Sequence, residues 1–227
     1  MEQDEDFDGF ITPDGQLVSI KDTERVSAIF LRTAEVESAV GALWHLATEC
    51  QGAGYFAAAA DYIEKIVGLV DSPARKAECF LRMGLVLEQS RDYDAAQQAY
   101  ARAFDLPRDG NETWYYLNNN RGYCLNQIER YKEAEKYCRA AIDIDRGRHN
   151  AHKNLGVALA NQGRYSEAAK EYIRAARLCP SDSRALDLLD DLFQRHKRVL
   201  EKIPGFRLRL HQCHELVQGV KGESLLQ

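Results

Sequence analysis

Between residues 82 and 184 the chain concentrates the side chains best suited to recognising another polypeptide. Asn119, Asn120, Gln127, Asn150, Asn154 and Asn161 each carry an amide that donates and accepts at once, so a row of them can pair with the main chain of an extended peptide whatever its side chains are. Tyr116 and Tyr123 supply aromatic surface among them, while Arg82, Lys153 and Arg184 add cations, of which Lys153 and Arg184 suit an acidic side chain. Reaction chemistry has no comparable concentration. His149 and His152 are three residues apart, as are His211 and His214 beside Cys213, but two ligands do not make a zinc site and no further Cys or His spacing completes either pair. The sequence has no phosphate-cradling glycine loop, GxSxG or HExxH, so no catalytic residue, cofactor or metal is expected.

Residues 4–11, DEDFDGFI, suggest a different chemistry. Asp4, Asp6 and Asp8 alternate like the first ligands of a seven-coordinate Ca²⁺ loop, with Gly9 at the sharp turn and the Phe10 carbonyl next in line. The pattern then fails, because Gly15 stands where a bidentate Glu is needed and only three residues precede the loop. Pro13-Asp14-Gly15 between two short apolar stretches reads as a hairpin turn. Residues 1–21 are therefore read as an acidic arm with a short hairpin, Ca²⁺ binding being the alternative.

The elements that position the amides must be helical. Ala and Leu together number 52 against 21 for Val and Ile, a ratio that favours helix formers over strand formers and excludes an all-β fold. With 45% apolar residues the chain can bury a core, yet no run approaches the ~18 apolar residues of a membrane span. The net charge of -5 is uneven: residues 1–24 hold eight acids and one base, so the body is close to neutral and lacks the positive field that nucleic acid requires. No basic and apolar leader opens the sequence, and the six cysteines form no CxxC pair, so a reduced, cytoplasmic protein is expected.

Self-similarity defines the helices further. Gly122 and Gly156, Leu125 and Leu159, Tyr131 and Tyr165, Ala134 and Ala168, and Ala141 and Ala175 are all 34 residues apart. A third copy contains Gly84, Leu87, Tyr93, Ala96, Tyr100 and Ala103. These residues closely resemble the tetratricopeptide repeat, with its small residues at positions 8, 20 and 27, an aromatic at 24 and a proline near 32. Position 8 is Gly84, Gly122 and Gly156, position 20 is Ala96, Ala134 and Ala168, and position 27 is Ala103, Ala141 and Ala175. Position 24 is Tyr100, Cys138 and Tyr172, where Cys138 departs from the aromatic pattern, and Arg146 departs at the proline position. The repeats run 77–114, 115–148 and 149–182; a degraded copy precedes them at 40–76, and a degenerate terminal repeat with a capping helix follows at 183–219. Residues 22–39 read as a separate N-terminal helix and 220–227 as a tail.

The resemblance implies an all-α, right-handed superhelix of about five helical hairpins, with the first helix of each lining a concave face. In that frame Tyr116, Asn120, Tyr123 and Gln127 of one repeat share a stripe with Asn150, Asn154, Val157 and Asn161 of the next, flanked by Arg82 on one side and Arg184 and Leu188 on the other. Asn120 and Asn154 share position 6, which is similar to the asparagine ladder of peptide-binding arrays of this family. The carboxylate clamp of its chaperone-binding members is matched too little in either frame. A noncatalytic adaptor or chaperone-like scaffold is expected, binding an extended protein segment through Arg82, Tyr116, Asn119, Asn120, Tyr123, Gln127, Asn150, Lys153, Asn154, Asn161 and Arg184. Asn120 and Asn154 are expected to face solvent in the free protein. The alternative is a self-assembling scaffold that forms homo-oligomers through its N-terminal helix or repeat ends; neither nucleic acid nor membrane is expected as a partner.

Overall fold

Four turns in this protein are built the same way, and they fix the hairpins. At Gly54, Arg91, Glu129 and Gly163 the backbone enters the left-handed region, with φ of 81°, 61°, 62° and 77°. The N–H of the following residue bonds back across the helix end, Tyr55 to Cys50, Asp92 to Leu87, Arg130 to Leu125 and Arg164 to Leu159, at 2.8 to 3.2 Å. The left-handed residue itself donates to Gln51, Glu88, Asn126 and Ala160 respectively. This paired closure satisfies the last carbonyls of one helix while reversing the chain into the next. All four sites fall at position 15 of their copies, so the degraded copy from residue 40 keeps the turn of the others.

The computed structural model describes residues 9–11, 17–108 and 111–224. Among these, ten helices follow one another: α1 (Ile20–Gly52), α2 (Phe56–Leu69), α3 (Pro73–Gln89), α4 (Tyr93–Arg102), α5 (Asn111–Gln127), α6 (Tyr131–Ile144), α7 (His149–Asn161), α8 (Tyr165–Leu178), α9 (Arg184–Leu200) and α10 (Phe206–Ser224). A short 3₁₀ turn, Ala103–Asp105, extends α4. Each helix packs on its sequence neighbours, and α5 also touches α3 and α7, which makes an all-α solenoid of five hairpins with α3, α5 and α7 side by side. Pro73 occupies the first turn of α3, where its missing N–H costs nothing, and the side chains of Ser72 and Asp92 cap α3 and α4. The N-terminal helix expected at 22–39 and the first helix of the degraded copy are one continuous element, α1. Before it, β1 (Gly9–Ile11) pairs antiparallel with β2 (Leu17–Ser19), Phe10 opposite Val18. Asp4, Asp6, Asp8, the turn Pro13-Asp14-Gly15 and residues 225–227 lie outside the described residues.

Inside the three central hairpins the glycine at position 8 meets the side chain at position 24. A Cβ on Gly84 would stand 2.2 Å from the Tyr100 ring, and one on Gly156 2.4 Å from the Tyr172 ring. At Gly122 it would stand 2.6 Å from Cys138 Sγ and 3.3 Å from the Ala134 carbonyl, so the second repeat brings its helices together on a thiol in place of a ring. Tyr100, Cys138 and Tyr172 are buried, as are the alanines at positions 20 and 27. The large side chain lies across the glycine and the alanines admit the neighbouring helix, which explains why small residues recur at those three positions.

Two stability changes follow. Gly156→Leu should cost a few kcal/mol in chemical denaturation, and even Gly156→Ala should cost about 1 to 3 kcal/mol, because overpacking against a buried ring exceeds the roughly 1 kcal/mol of helix propensity gained. Glu129→Gly should instead raise stability by about 0.5 to 1 kcal/mol, since an exposed non-glycine residue holds a left-handed conformation there. A denaturation midpoint lowered by Glu129→Gly would contradict this account of the turn.

Candidate functional site

The first helices of successive hairpins, α3, α5, α7 and α9, border one groove of about 870 Å³. Its walls are amide-rich: Asn119, Asn120, Asn126 and Gln127 from α5, and Asn150 and Asn154 from α7. Tyr123, Val157 and Leu188 add apolar surface, and Glu88, Lys153, Arg184 and Asp187 add charge. Thus Asn119, Asn120, Tyr123, Gln127, Asn150, Lys153, Asn154 and Arg184 are brought together. Three residues of the expected set are elsewhere. Arg82 bonds Glu78 at 2.8 Å and lies over the Trp44 ring, Tyr116 lies against Tyr115 beneath the Arg148 guanidinium, and Asn161 donates to the Val157 carbonyl at 3.0 Å. Sequence reasoning missed Glu88, Asn126 and Asp187. The first two are at position 12, one helical turn beyond the glycine at position 8, and that spacing was the available signal.

The amides form a connected ladder across the repeats. Asn119 Nδ2 donates to Asn120 Oδ1 at 2.9 Å, and Asn154 Nδ2 donates to Asn119 Oδ1 at 3.1 Å. Asn126 Nδ2 reaches the main-chain carbonyl of Asn154 at 2.9 Å, so two rungs tie α5 to α7. At the α3 side, Tyr100 donates its hydroxyl to Glu88 Oε1 at 2.6 Å, and the Cys124 thiol approaches the same oxygen at 3.5 Å. Burial raises the Glu88 carboxyl above its ordinary range, opposed by these two donors. The second repeat lacks this arrangement: its position 24 is Cys138, which offers no hydroxyl, and Asn126 Oδ1 is buried without a hydrogen-bond partner among the described residues.

Two expectations need correction. Asn154 does not face solvent; it is 7% exposed, because the neighbouring repeat closes over it and its amide is spent on Asn119. Asn120 is only half-buried. Lys153 and Arg184 are not free to hold a partner's carboxylate either, since Asp182 already bridges them. Arg184 approaches Asp182 through Nε and Nη2 at 2.7 Å each and through its main-chain N–H at 3.1 Å, while Lys153 Nζ lies 3.3 Å away. His149 donates from Nε2 at 3.0 Å. The Arg184 guanidinium is first among the donors that hold Asp182 far below the usual carboxylate range. Burial pushes Lys153 down against the pull of Asp182, and burial likewise lowers His149, which stays neutral near pH 7.

His152 and His214 are similarly committed. His152 Nδ1 lies 2.6 Å from Glu171 and His214 Nε2 lies 3.0 Å from Asp190. Among the described residues no three His, Cys, Asp or Glu side chains converge as metal ligands do, and no helix is long and apolar enough to cross a membrane.

Models of the tetratricopeptide repeat match residues 81–149 and 149–182, which hold α4 to α8 and the second half of α3. The chain carries a tetratricopeptide-repeat array over residues 81–182. Its array is a protein-interaction scaffold of that family. It is 32% identical over 112 residues to small glutamine-rich tetratricopeptide repeat-containing protein 2 of Mycosarcoma maydis, a match covering 49% of this chain and 31% of the relative. It is 26% identical to the DnaJ homolog subfamily C member 7 homolog of Dictyostelium discoideum, across 63% of this chain and 26% of that protein. The chain thus spans about a quarter to a third of these curated relatives. Among solved structures it is similar in fold to MamA from Desulfovibrio magneticus RS-1, residues 41 to the end, with a TM-score of 0.62 at 17% identity, covering 80% of this chain and 96% of that one.

The ladder and the Asp182 bridge each predict a measurable response. Asn154→Ala should lower stability by about 1 to 3 kcal/mol, because Asn119 then loses a partner inside the repeat interface, whereas Asn120→Ala should cost less. The carboxyls of Asp182 and Glu135 titrate below their unfolded values, Glu135 at about 2 because Arg139, Arg164 and Gln162 outweigh its burial. Their stabilisation is therefore complete above roughly pH 4.5 and disappears as pH falls toward the folded values. Stability measured from pH 6 to pH 2.5 should fall along that limb, and Asp182→Asn should make it shallower; an unchanged slope would remove Asp182 from the account.

Proposed function

We propose that this protein is a noncatalytic adaptor or chaperone-like scaffold that receives an extended segment of a protein partner in the groove between α3 and α9. The observation that carries this reading is the run of amides on adjacent first helices, Asn119, Asn120, Asn126 and Gln127 beside Asn150 and Asn154, in one open groove. An extended segment exposes a main-chain donor and acceptor at each residue, and amides at successive helices can pair with them without regard to side-chain identity. The ladder also pre-orders these amides. Asn154 and Asn119 are held in place by each other, so less side-chain freedom is lost when a segment docks. Half-buried Asn120 and exposed Gln127 are the groups that contact the incoming main chain, and buried Asn154 is the support behind them.

The burial of Asn154 changes how the reading is tested, since its removal alters stability and binding together. Asn120→Ala with Gln127→Ala should weaken capture of a native partner at least tenfold in a quantitative pulldown, with a melting temperature closer to wild type than that of Asn154→Ala. Lys170→Ala, in the cleft between α8 and α10, should leave capture unaltered. Full capture by the Asn120/Gln127 double variant would move the binding surface away from the groove.

A further inference from the structure

The groove's charges are not equivalent. Its two cations, Lys153 and Arg184, share the internal Asp182 carboxylate, which is only 12% exposed and already takes five donors. Its two carboxylates, Glu88 and Asp187, have no cation among the ion pairs of the described residues; Asp187 receives only the Ser183 hydroxyl, at 3.2 Å. With His149 neutral, the five charged groups at the groove sum to a negative field, in a chain whose Lys153 and Arg184 first suggested the opposite.

Glu88 is also built to receive something. Tyr100 and Cys124 both donate to its Oε1, which fixes the carboxyl and leaves Oε2 without a donor among the hydrogen bonds of the described residues. The side chain is half-buried at the groove's edge, so a cation reaching it would interact with little screening. Tyr123 lines the same groove; burial and then Tyr93 raise its hydroxyl pKa and the nearby Glu88 charge adds to them, while its ring stands edge-to-face with Tyr93 at 5.9 Å. A carboxylate beside an aromatic face fits a planar guanidinium, which can donate to the oxygen and lie against the ring at once, better than it fits a compact ammonium.

Resting on the proposal that the groove takes an extended segment, we propose that it selects a segment carrying an arginine, whose guanidinium pairs with Glu88 against Tyr123, and that Asp182 enforces the choice by occupying Lys153 and Arg184. The inference concerns which side chain is accepted; the amide ladder accounts for the main chain. A carboxylate entering the groove meets two cations whose charge Asp182 already offsets, whereas an arginine meets Glu88, which no cation engages among the ion pairs of the described residues.

Four N-acetylated, C-amidated octapeptides, identical except for a central Arg, Lys, Gln or Glu, test this against the full chain. Binding is followed by amide chemical shifts at low ionic strength, where weak complexes are still visible. The Arg peptide should bind at least fivefold more tightly than the Gln peptide, with Lys between them and Glu weakest. Glu88→Gln keeps an acceptor for Tyr100 and should erase the Arg preference, bringing the Arg and Gln peptides to the same affinity. Asp182→Asn, checked for folding by its melting curve, should narrow the gap between the Glu and Gln peptides; if it unfolds, Glu88→Gln alone decides. Equal affinity of the Arg and Gln peptides for wild type, or an Arg preference that survives Glu88→Gln, overturns the charge selection. Loss of affinity for all four peptides in Asn120→Ala keeps the groove reading intact in that event, whereas peptides that do not bind, or bind Asn120→Ala as tightly as wild type, overturn both.

Discussion

The close approach of paired helices at position 8 is the constraint on which the rest of the molecule depends. Gly84 and Gly156 allow a tyrosine ring to lie where a Cβ would be, and Gly122 does the same for a thiol. With the hairpins this tight, the first helices of successive repeats stand side by side, and side chains at position 6 of one can reach position 5 of the one before, as Asn154 reaches Asn119. The groove is therefore a product of backbone proximity inside each hairpin, several residues away from any group that lines it.

Much of this architecture was legible in the sequence because it is encoded at fixed separations. Glycine at 8 and alanine at 20 and 27 recur with the period of the fold, and the amide stripe follows from the helical angle once those positions are known. The outcome at Asn154, Asp182 and Arg82 was not legible, for a physical reason. Each is decided by a contact between elements whose relative angle no local spacing records: α5 closes over Asn154, Asp182 folds back beneath Lys153, and Trp44 of α1 draws Arg82 aside. Glu88 and Asn126 are a middle case, since position 12 lies one turn from position 8 but its importance emerges only with Tyr100 present and Cys138 lacking a hydroxyl.

Substitution at a single repeat position thereby propagates into the recognition surface. Where position 24 is Tyr100, its hydroxyl engages position 12 and fixes a carboxylate at the groove's edge. Where it is Cys138, position 12 is released, and Asn126 turns to the main chain of the next repeat. The two outcomes divide the groove into a charged end and an amide-lined middle, so a departure from the repeat pattern in the core gives the concave face its asymmetry.

The bond from Asn126 to the Asn154 carbonyl also has a mechanical meaning. A stack of hairpins is a spring whose coils flex by opening the angle between neighbours. Because one end of this bond is backbone, it cannot be relieved by a change of rotamer in α7, and uncoiling between α5 and α7 must break it together with the Asn154 to Asn119 bond. No comparable side-chain tie joins α3 to α5 among the hydrogen bonds of the described residues other than the Cys124 contact to Glu88. The α5–α7 junction thus resists uncoiling more than the α3–α5 junction does, which lets the entrance beside Glu88 widen while the amide rungs keep their spacing.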